Sequence, residues 1–234
     1  TALDLPFGAS SSLTESFGRV TLTFTRASNQ TYFDSAGTLQ PAGTNLAAFD
    51  YDPSTLAARG LSLWESRTNV CLWNRDLTNA AWVKVSVTAA LDQIGIDGAA
   101  NSASSITATA GNGTCLQAIT LASSARYQTA YVKRITGSGT INMTTDNGAT
   151  WTAITVTGAW TRVEIPTQTL ANPTAGFQIV TSGDAIAVDY VQNENGIFGT
   201  PVILVTTVAA NRHYTRRRSP HRADLQHYGF VVVQ

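Results

Sequence analysis

Charged residues are scarce in this sequence, since they make up 13% of its 234 residues, about half of the usual share. No run of 18 consecutive apolar residues is present, which excludes a membrane-spanning helix. The two cysteines, Cys71 and Cys115, are too few for a disulfide scaffold, and we expect two buried free thiols rather than one bridge. Apolar residues, at 43%, are numerous enough for a sizeable core, which excludes a disordered chain.

The formal net charge of zero hides an asymmetry along the chain. Residues 1–200 carry a net charge of −4, whereas residues 201–234 carry +4 and all three histidines. An arginine cluster such as HYTRRRSPHR suits phosphate groups, but the acidic remainder has no basic stripe. We therefore expect no nucleic-acid partner, and a basic tail that is solvated or docked on a neighbouring subunit.

Short alternating segments that are separated by turn signals predict an all-β fold. Strands are expected about every ten residues, in segments such as NAAWVKVSVTA, YQTAYVKRI, TRVEIPTQTL and AIAVDYVQNE. This rhythm is typical of a β-sandwich or jelly roll. In the first of these segments the pattern predicts Trp82 in the core, and Trp160 is expected there as well. A hairpin is predicted around the turn Asp34–Gly37.

Residues that would support catalysis or metal binding are missing or poorly placed. The histidines lie only in the tail, and no phosphate-binding or nucleophile motif is present, so we predict no catalytic site, cofactor or metal. Asp50 and Asp52 share one strand face and could form a glycosidase pair, but hydrogen bonding to a turn or an arginine is favoured. The carboxylates considered for a structural calcium are Asp184, Asp189 and Glu194.

Four separated motifs follow one another in a characteristic order. They read FTRASNQTYFDSAGTL, FDYDPSTLAARGLSLWESRTNV, NRDLTNAAW and DYVQNENGIFGTPVI. This order resembles a group of bacteriophage virion proteins, the head-fibre, head-spike and tail-associated proteins, in which similar motifs lead into a jelly roll like that of carbohydrate-binding modules. The resemblance covers residues 19–203. After Ile203 the sequence departs from the group and becomes rich in arginine and histidine.

The resemblance implies an organisation in four parts. These are an N-terminal attachment arm (1–18), a β-hairpin collar (19–70), a jelly-roll domain (71–200) and an atypical basic tail (201–234). In the collar we expect Arg26 or Arg67 to pair with Asp50 or Asp52. The arm carries apolar residues without identifiable strand partners, and we expect them to bury against another subunit: Leu3, Leu5, Phe7, Leu13 and Phe17.

The implied function is that of a phage virion structural protein, a capsid decoration, head-fibre or tail-fibre subunit, assembled in the bacterial host cytoplasm. Its partners would be capsid or other virion proteins and further copies of itself, with a trimer as one candidate. The jelly roll would bind host surface polysaccharide by aromatic stacking and polar contacts. The candidate glycan-binding residues are Trp151, Tyr131, Tyr127, Gln117 and Lys133. Two alternatives remain, a polysaccharide-cleaving enzyme on a β-sandwich and a secreted carbohydrate-binding module, although the opening residues show no signal-peptide pattern.

Overall fold

The computed structural model describes residues 12–13 and 23–212, together with the backbone of 216–218. Within these ranges the chain forms strands and loops and contains no helix, and hence none that is long and apolar enough to cross a membrane. The predicted all-β class is therefore confirmed.

Two five-stranded antiparallel sheets form the sandwich. The first sheet has the order β13-β12-β15-β10-β7, from strands β7 (Val83–Val85), β10 (Gly113–Ala118), β12 (Ile141–Thr144), β13 (Thr152–Ile154) and β15 (Thr174–Ile179). The second has the order β14-β11-β16-β9-β8, from strands β8 (Val87–Gln93), β9 (Ala103–Ala108), β11 (Ser124–Thr136), β14 (Thr161–Leu170) and β16 (Ala185–Asn195).

Eight shorter strands lie outside the sandwich and pair two by two. They are β1 (Thr23–Thr25), β2 (Gln30–Phe33), β3 (Leu39–Ala42), β4 (Phe49–Tyr51), β5 (Ala58–Leu61), β6 (Arg67–Asn69), β17 (Ala210–Arg212) and β18 (Arg216–Arg218). The predicted turn joins β2 to β3, and there Asp34 Oδ1 accepts hydrogen bonds from the backbone N–H groups of Ala36 and Thr38. The pairs β1–β18 and β6–β17 build the described part of the basic tail into the collar.

The main core lies between the two sheets. It includes Trp82, Val132, Phe177 and Ile186, each at most 1% exposed, which confirms the predicted position of Trp82. The chain passes from the first sheet to the second at Ser86, whose φ of 55° breaks the alternation after β7. Cys71 and Cys115 are buried and unbridged, as expected, and burial raises the pKa of each thiol to about 12.

A second, smaller core fixes the collar on the outer face of the second sheet. Phe33 and Leu39 of the hairpin β2–β3 pack there with Tyr131, Tyr190 and Val202. The rings of Phe33 and Tyr131 meet edge to face, with centroids 6.1 Å apart. The hairpin is therefore a layer on the sandwich, and residues after position 200 complete it.

The charges of the collar motifs serve the local fold. Arg26 is 1% exposed and donates hydrogen bonds to the backbone oxygens of Ser28, Ala42 and Gly43 at 2.7–3.0 Å. Neither it nor Arg67 pairs with the collar aspartates, contrary to the prediction, because Arg59 takes that role. Its guanidinium lies 2.6 Å from Asp52 and 3.8 Å from Asp50.

Asp50 and Asp52 are also bound to the backbone. Asp50 accepts a hydrogen bond from Phe33 N at 2.8 Å, and Asp52 caps a turn by accepting from the N–H groups of Ser54 and Thr55. These are the structural roles favoured by the sequence.

Candidate functional site

A cleft of about 470 Å³ opens between the collar hairpin, the second sheet and the chain after position 201. We call it the collar cleft. Its walls carry amides, one ion pair and apolar side chains, among them Asn29, Gln40, Asn211, Arg75, Asp97, Tyr190, Leu39, Pro41, Val202 and Leu204. Amides and carboxylates can exchange hydrogen bonds with hydroxyl groups, and the apolar walls can contact C–H faces, so the cleft suits a neutral, hydroxyl-rich ligand.

An ion-pair network forms the base of the collar cleft. Arg75 donates to Asp189 at 2.7 and 3.0 Å and to Asp97 at 2.7 and 2.9 Å, while its guanidinium lies 4.2 Å from the centroid of the Tyr190 ring. Burial opposes the charge of Arg75, but the two carboxylates outweigh it and raise the pKa of the guanidinium. Burial likewise opposes ionisation of Asp97, yet Arg75 and the Ala99 N–H lower its pKa.

An irregularity in β16 places the ion-pair network of Arg75 at the base of the collar cleft. Tyr190 has a φ of 47°, which a bulky residue rarely adopts, and the pairing between β11 and β16 shifts register at this point. The bulge lets the consecutive residues Asp189 and Tyr190 contact Arg75 together. No periodicity in the sequence indicates such a bulge, and for this reason Arg75, Asp97 and Tyr190 were missed as site residues.

The structure does not bring the five glycan-binding candidates together. Gln117 and Trp151 belong to the first sheet and its loops, whereas Tyr127, Tyr131 and Lys133 lie on β11 of the second sheet, beyond the main core. None of the five lines the collar cleft.

Two of these candidates are buried, which does not fit the predicted contact with a ligand at the surface. Tyr131 is 7% exposed because the hairpin packs on it. Gln117 is 3% exposed, and its amide bonds to both the N–H and the C=O of Leu72 at 2.7 and 2.9 Å. Their roles are to hold the collar and the segment before β7 on the sandwich.

The other three candidates are half-buried at separate places. Trp151 lies against the turn at Gly148, where an added Cβ would come within 2.7 Å of the indole ring. Tyr127 lies beside Glu164, and burial together with this carboxylate raises the pKa of its hydroxyl. Lys133 Nζ lies 4.9 Å from the centroid of the Trp160 ring, which is half-buried on the second sheet rather than in the main core as predicted.

The three carboxylates considered for calcium are each occupied by protein donors. Asp184 accepts from Gly139 N at 2.7 Å, Asp189 from Arg75, and Glu194 from the N–H and hydroxyl of Thr200 at 2.7 Å each. Among the described residues, no group of three or more histidine, cysteine, aspartate or glutamate side chains could hold a metal ion.

Most of the apolar residues proposed for attachment lie outside the described residues, namely Leu3, Leu5, Phe7 and Phe17. Leu13 is described and is half-buried. The prediction that the arm attaches the protein to another subunit therefore stays a prediction.

These features define an all-β sandwich protein with a collar docked on one sheet. No family model and no curated protein matches the chain. Among solved structures it is similar to the CBM22-1 xylan-binding domain from Paenibacillus barcinonensis Xyn10C, with 12% identity and a TM-score of 0.37 over 59% of this chain and 97% of that one.

A second similar structure comes from Clostridium thermocellum and contains the CBM22-1 and GH10 modules of the endo-1,4-beta-D-xylanase Xyn10B complexed with xylohexaose. It shares 14% identity and a TM-score of 0.40, over 61% of this chain and 30% of that one. At such low identities the likeness concerns the β-sandwich fold alone.

Proposed function

We propose that this protein is a structural subunit of a bacteriophage virion whose sandwich binds host surface glycan through the collar cleft, without catalysis. The observation that carries the proposal is the position of the motifs that resemble virion proteins. The first two motifs, residues 24–39 and 49–70, lie in the collar, which packs on the second sheet, while the other two contribute Arg75, Tyr190 and Val202 to the cleft beside it. A secreted carbohydrate-binding module would not require virion assembly. A polysaccharide-cleaving enzyme would require neither virion assembly nor the structural bonds that Asp50 and Asp52 make.

The cleft matches the chemistry of a weak, repeated sugar contact. Asp97 is a charged acceptor with 21% of its side chain exposed, and the exposed amides of Asn29 and Asn211 can both donate and accept. Each such site contributes a modest affinity, and many copies on one particle raise the avidity without new contacts.

We include other virion proteins and copies of this chain among the partners. Val83 and Val85, 59% and 58% exposed on the edge strand β7, are residues that such contacts would cover.

The virion assignment is tested on purified particles. We expect mass spectrometry of density-purified phage to detect this polypeptide at a stoichiometry fixed relative to the major capsid protein, and detergent-free washing to leave it in place. Its absence from particles that infect normally would refute the virion role, while leaving the glycan cleft to be tested separately.

The glycan cleft is tested with one substitution and its matched control. Leu204 and Val208 belong to the same loop and are 53% and 72% exposed, but only Leu204 lines the cleft. We expect Leu204→Arg to fill the cleft and weaken binding to host polysaccharide at least tenfold in a pull-down with immobilised polysaccharide, whereas Val208→Arg leaves it unchanged. Equal binding by both variants and the unaltered protein would exclude the collar cleft as the glycan site.

A further inference from the structure

A second cleft, of about 330 Å³, lies beside the strand pair β6–β17. Arg67 and Arg212 face each other in the register of this pair, and both line the cleft together with Asn195, Asn211 and Glu65. We call it the arginine cleft. Asn211 also lines the collar cleft, so the two clefts adjoin along β17.

Arg212 is a buried cation whose polar contacts are incomplete. The residue is 1% exposed, and its terminal nitrogens donate to the backbone oxygens of Pro201 and Glu65 at 2.9 and 3.1 Å. Its Nε is buried without a hydrogen-bond partner, and within the described residues no carboxylate forms an ion pair with it. Burial lowers the pKa of Arg212 to about 10, so the group remains charged at neutral pH at a cost in free energy.

Arg126 adds a second buried cation behind the cleft wall. It is 3% exposed and donates to Asn195 Oδ1 and to Ala122 O, and its Nε has no hydrogen-bond partner among residues 12–13 and 23–212. Burial lowers its pKa. Because Asn195 lines the cleft, Arg126 holds this amide in place and contributes positive charge close to the opening.

Arg67 is the least buried of the three arginines, with 10% of its side chain exposed, and it lines the cleft. It pairs with Glu65, whose side chain is 51% exposed and can turn into solvent. Its guanidinium lies 4.9 Å from the centroid of the Phe198 ring, and Phe198 is 43% exposed. Gly196 makes room for the guanidinium, since an added Cβ at this position would overlap it. The neighbourhood thus offers a cation, an aromatic face and two amides side by side.

Among the described residues, guanidiniums outnumber carboxylates around the arginine cleft. Three guanidiniums, those of Arg67, Arg126 and Arg212, are set against the carboxylates of Glu65 and Glu194. Glu194 is 0% exposed and is engaged by Thr200 and Gln192, so within the described part of the chain Glu65 is the exposed carboxylate at the opening. A guanidinium binds a carboxylate or a phosphate through two parallel N–H···O bonds. An anionic group in the cleft would therefore complete the hydrogen bonds of the arginines and displace Glu65.

We propose that the arginine cleft binds the anionic group of an acidic sugar residue, a carboxylate or a phosphate ester, with the amides of Asn195 and Asn211 on its hydroxyls and Phe198 beside its ring. That the ligand is a saccharide rests on the proposed function. The binding of an anion rests on the three arginines alone.

Titrations followed by ¹⁵N–¹H correlation spectra test this inference, because they detect millimolar affinities and locate the contact. We expect glucuronate or glucose 1-phosphate to bind at least tenfold more tightly than glucose, with shifts at residues 66–68, 195–196 and 211. The tighter of the two anionic sugars identifies the anionic group. Glucose that binds as tightly as both would overturn the proposal, and acetate that binds as tightly as glucuronate would overturn its saccharide part.

Three variants test whether the charges of the arginine cleft determine binding of the anionic sugar. Glu65→Gln removes the competing carboxylate from an exposed position, and we expect it to tighten binding of the anionic sugar about fivefold, the range of an exposed ion pair. Asp92→Asn, an exposed position on β8 that does not line the cleft, changes the net charge equally and is expected to have no effect. Arg67→Gln should weaken binding at least tenfold, with thermal unfolding recorded to show that it folds.

The outcomes separate this inference from the proposed function. Equal tightening by Glu65→Gln and Asp92→Asn would show that general electrostatics, not the cleft, governs binding, and would overturn the inference. Polysaccharide binding that depends on Leu204 but not on Arg67 or charge leaves the proposed function standing and refutes the arginine cleft. If glucuronate binding depends on Arg67 while Leu204→Arg has no effect, the arginine cleft stands and the collar cleft is refuted as the glycan site.

Discussion

Arg75→Met is expected to destabilise the protein by about 3–5 kcal/mol, because it removes the cation from a buried ion-pair network. Asp189 is 0% exposed and receives two hydrogen bonds from Arg75, so the substitution leaves a carboxylate without its counter-ion inside the fold. The free energy of unfolding, measured in urea by tryptophan fluorescence, reports this loss. The same change opens the base of the collar cleft and should weaken glycan binding as well.

Arg59→Met is the matched control for this prediction. Arg59 also pairs with aspartates, but 53% of its side chain is exposed, and exposed pairs contribute less than about 1 kcal/mol. The double variant Arg75→Met/Asp189→Leu should recover part of the lost stability, since it removes the uncompensated carboxylate too. Equal, small losses in Arg75→Met and Arg59→Met would show that the network contributes no more than a surface ion pair.

Asn69→Asp is expected to cost about 3–5 kcal/mol, because Asn69 joins four backbone groups from three segments. The residue is 0% exposed, its Nδ2 donates to the backbone oxygens of Val191 and Ile203, and its Oδ1 accepts from the N–H groups of Cys71 and Asn193. Aspartate has almost the same shape but presents an acceptor to two carbonyl oxygens. Both carbonyls lose their donor, and a charge is buried without a cation.

Measurement of this effect at two pH values separates the charge from the lost hydrogen bonds. Burial should raise the pKa of the new carboxyl in the folded state above its unfolded value, so the loss of stability grows as the pH rises through 4–7. Asn29→Asp, at an exposed position, is the control and should change the free energy of unfolding by less than about 0.5 kcal/mol. A similarly small effect at position 69 would show that the surrounding backbone finds other partners.

Asn69 shows how much of the collar the sequence motifs predicted. The resemblance placed Asn69 in the collar, and in the structure its buried side chain holds the end of the collar on β16 through Val191 O. It also predicted pairing of Arg26 with an aspartate, which is wrong, because its guanidinium donates instead to the carbonyl oxygens of Ala42, at the end of β3, and Gly43. An arginine in this motif indicated that oxygen acceptors lie close by, but not which of the nearby oxygens would accept.

Strand positions and the core were determined by the sequence to a large extent. TRVEIPTQTL corresponds to β14, AIAVDYVQNE falls within β16, and Trp82 lies in the core as predicted. Alternation of apolar and polar residues is a local property of a strand, since neighbouring side chains point to opposite faces. It identifies the inner face of a strand wherever one face of the sheet is buried.

Only the tertiary structure decided which outer faces are covered and where the clefts lie. Tyr131 was predicted to stack on a sugar, but Phe33, about one hundred residues earlier in the chain, packs on it. The collar cleft joins Asn29, Asp97 and Asn211, and the arginine cleft joins Arg67 to Arg212 through the β6–β17 pairing. Such contacts depend on distant segments meeting in space, and the periodicity of a single strand carries no information about which segment will cover it.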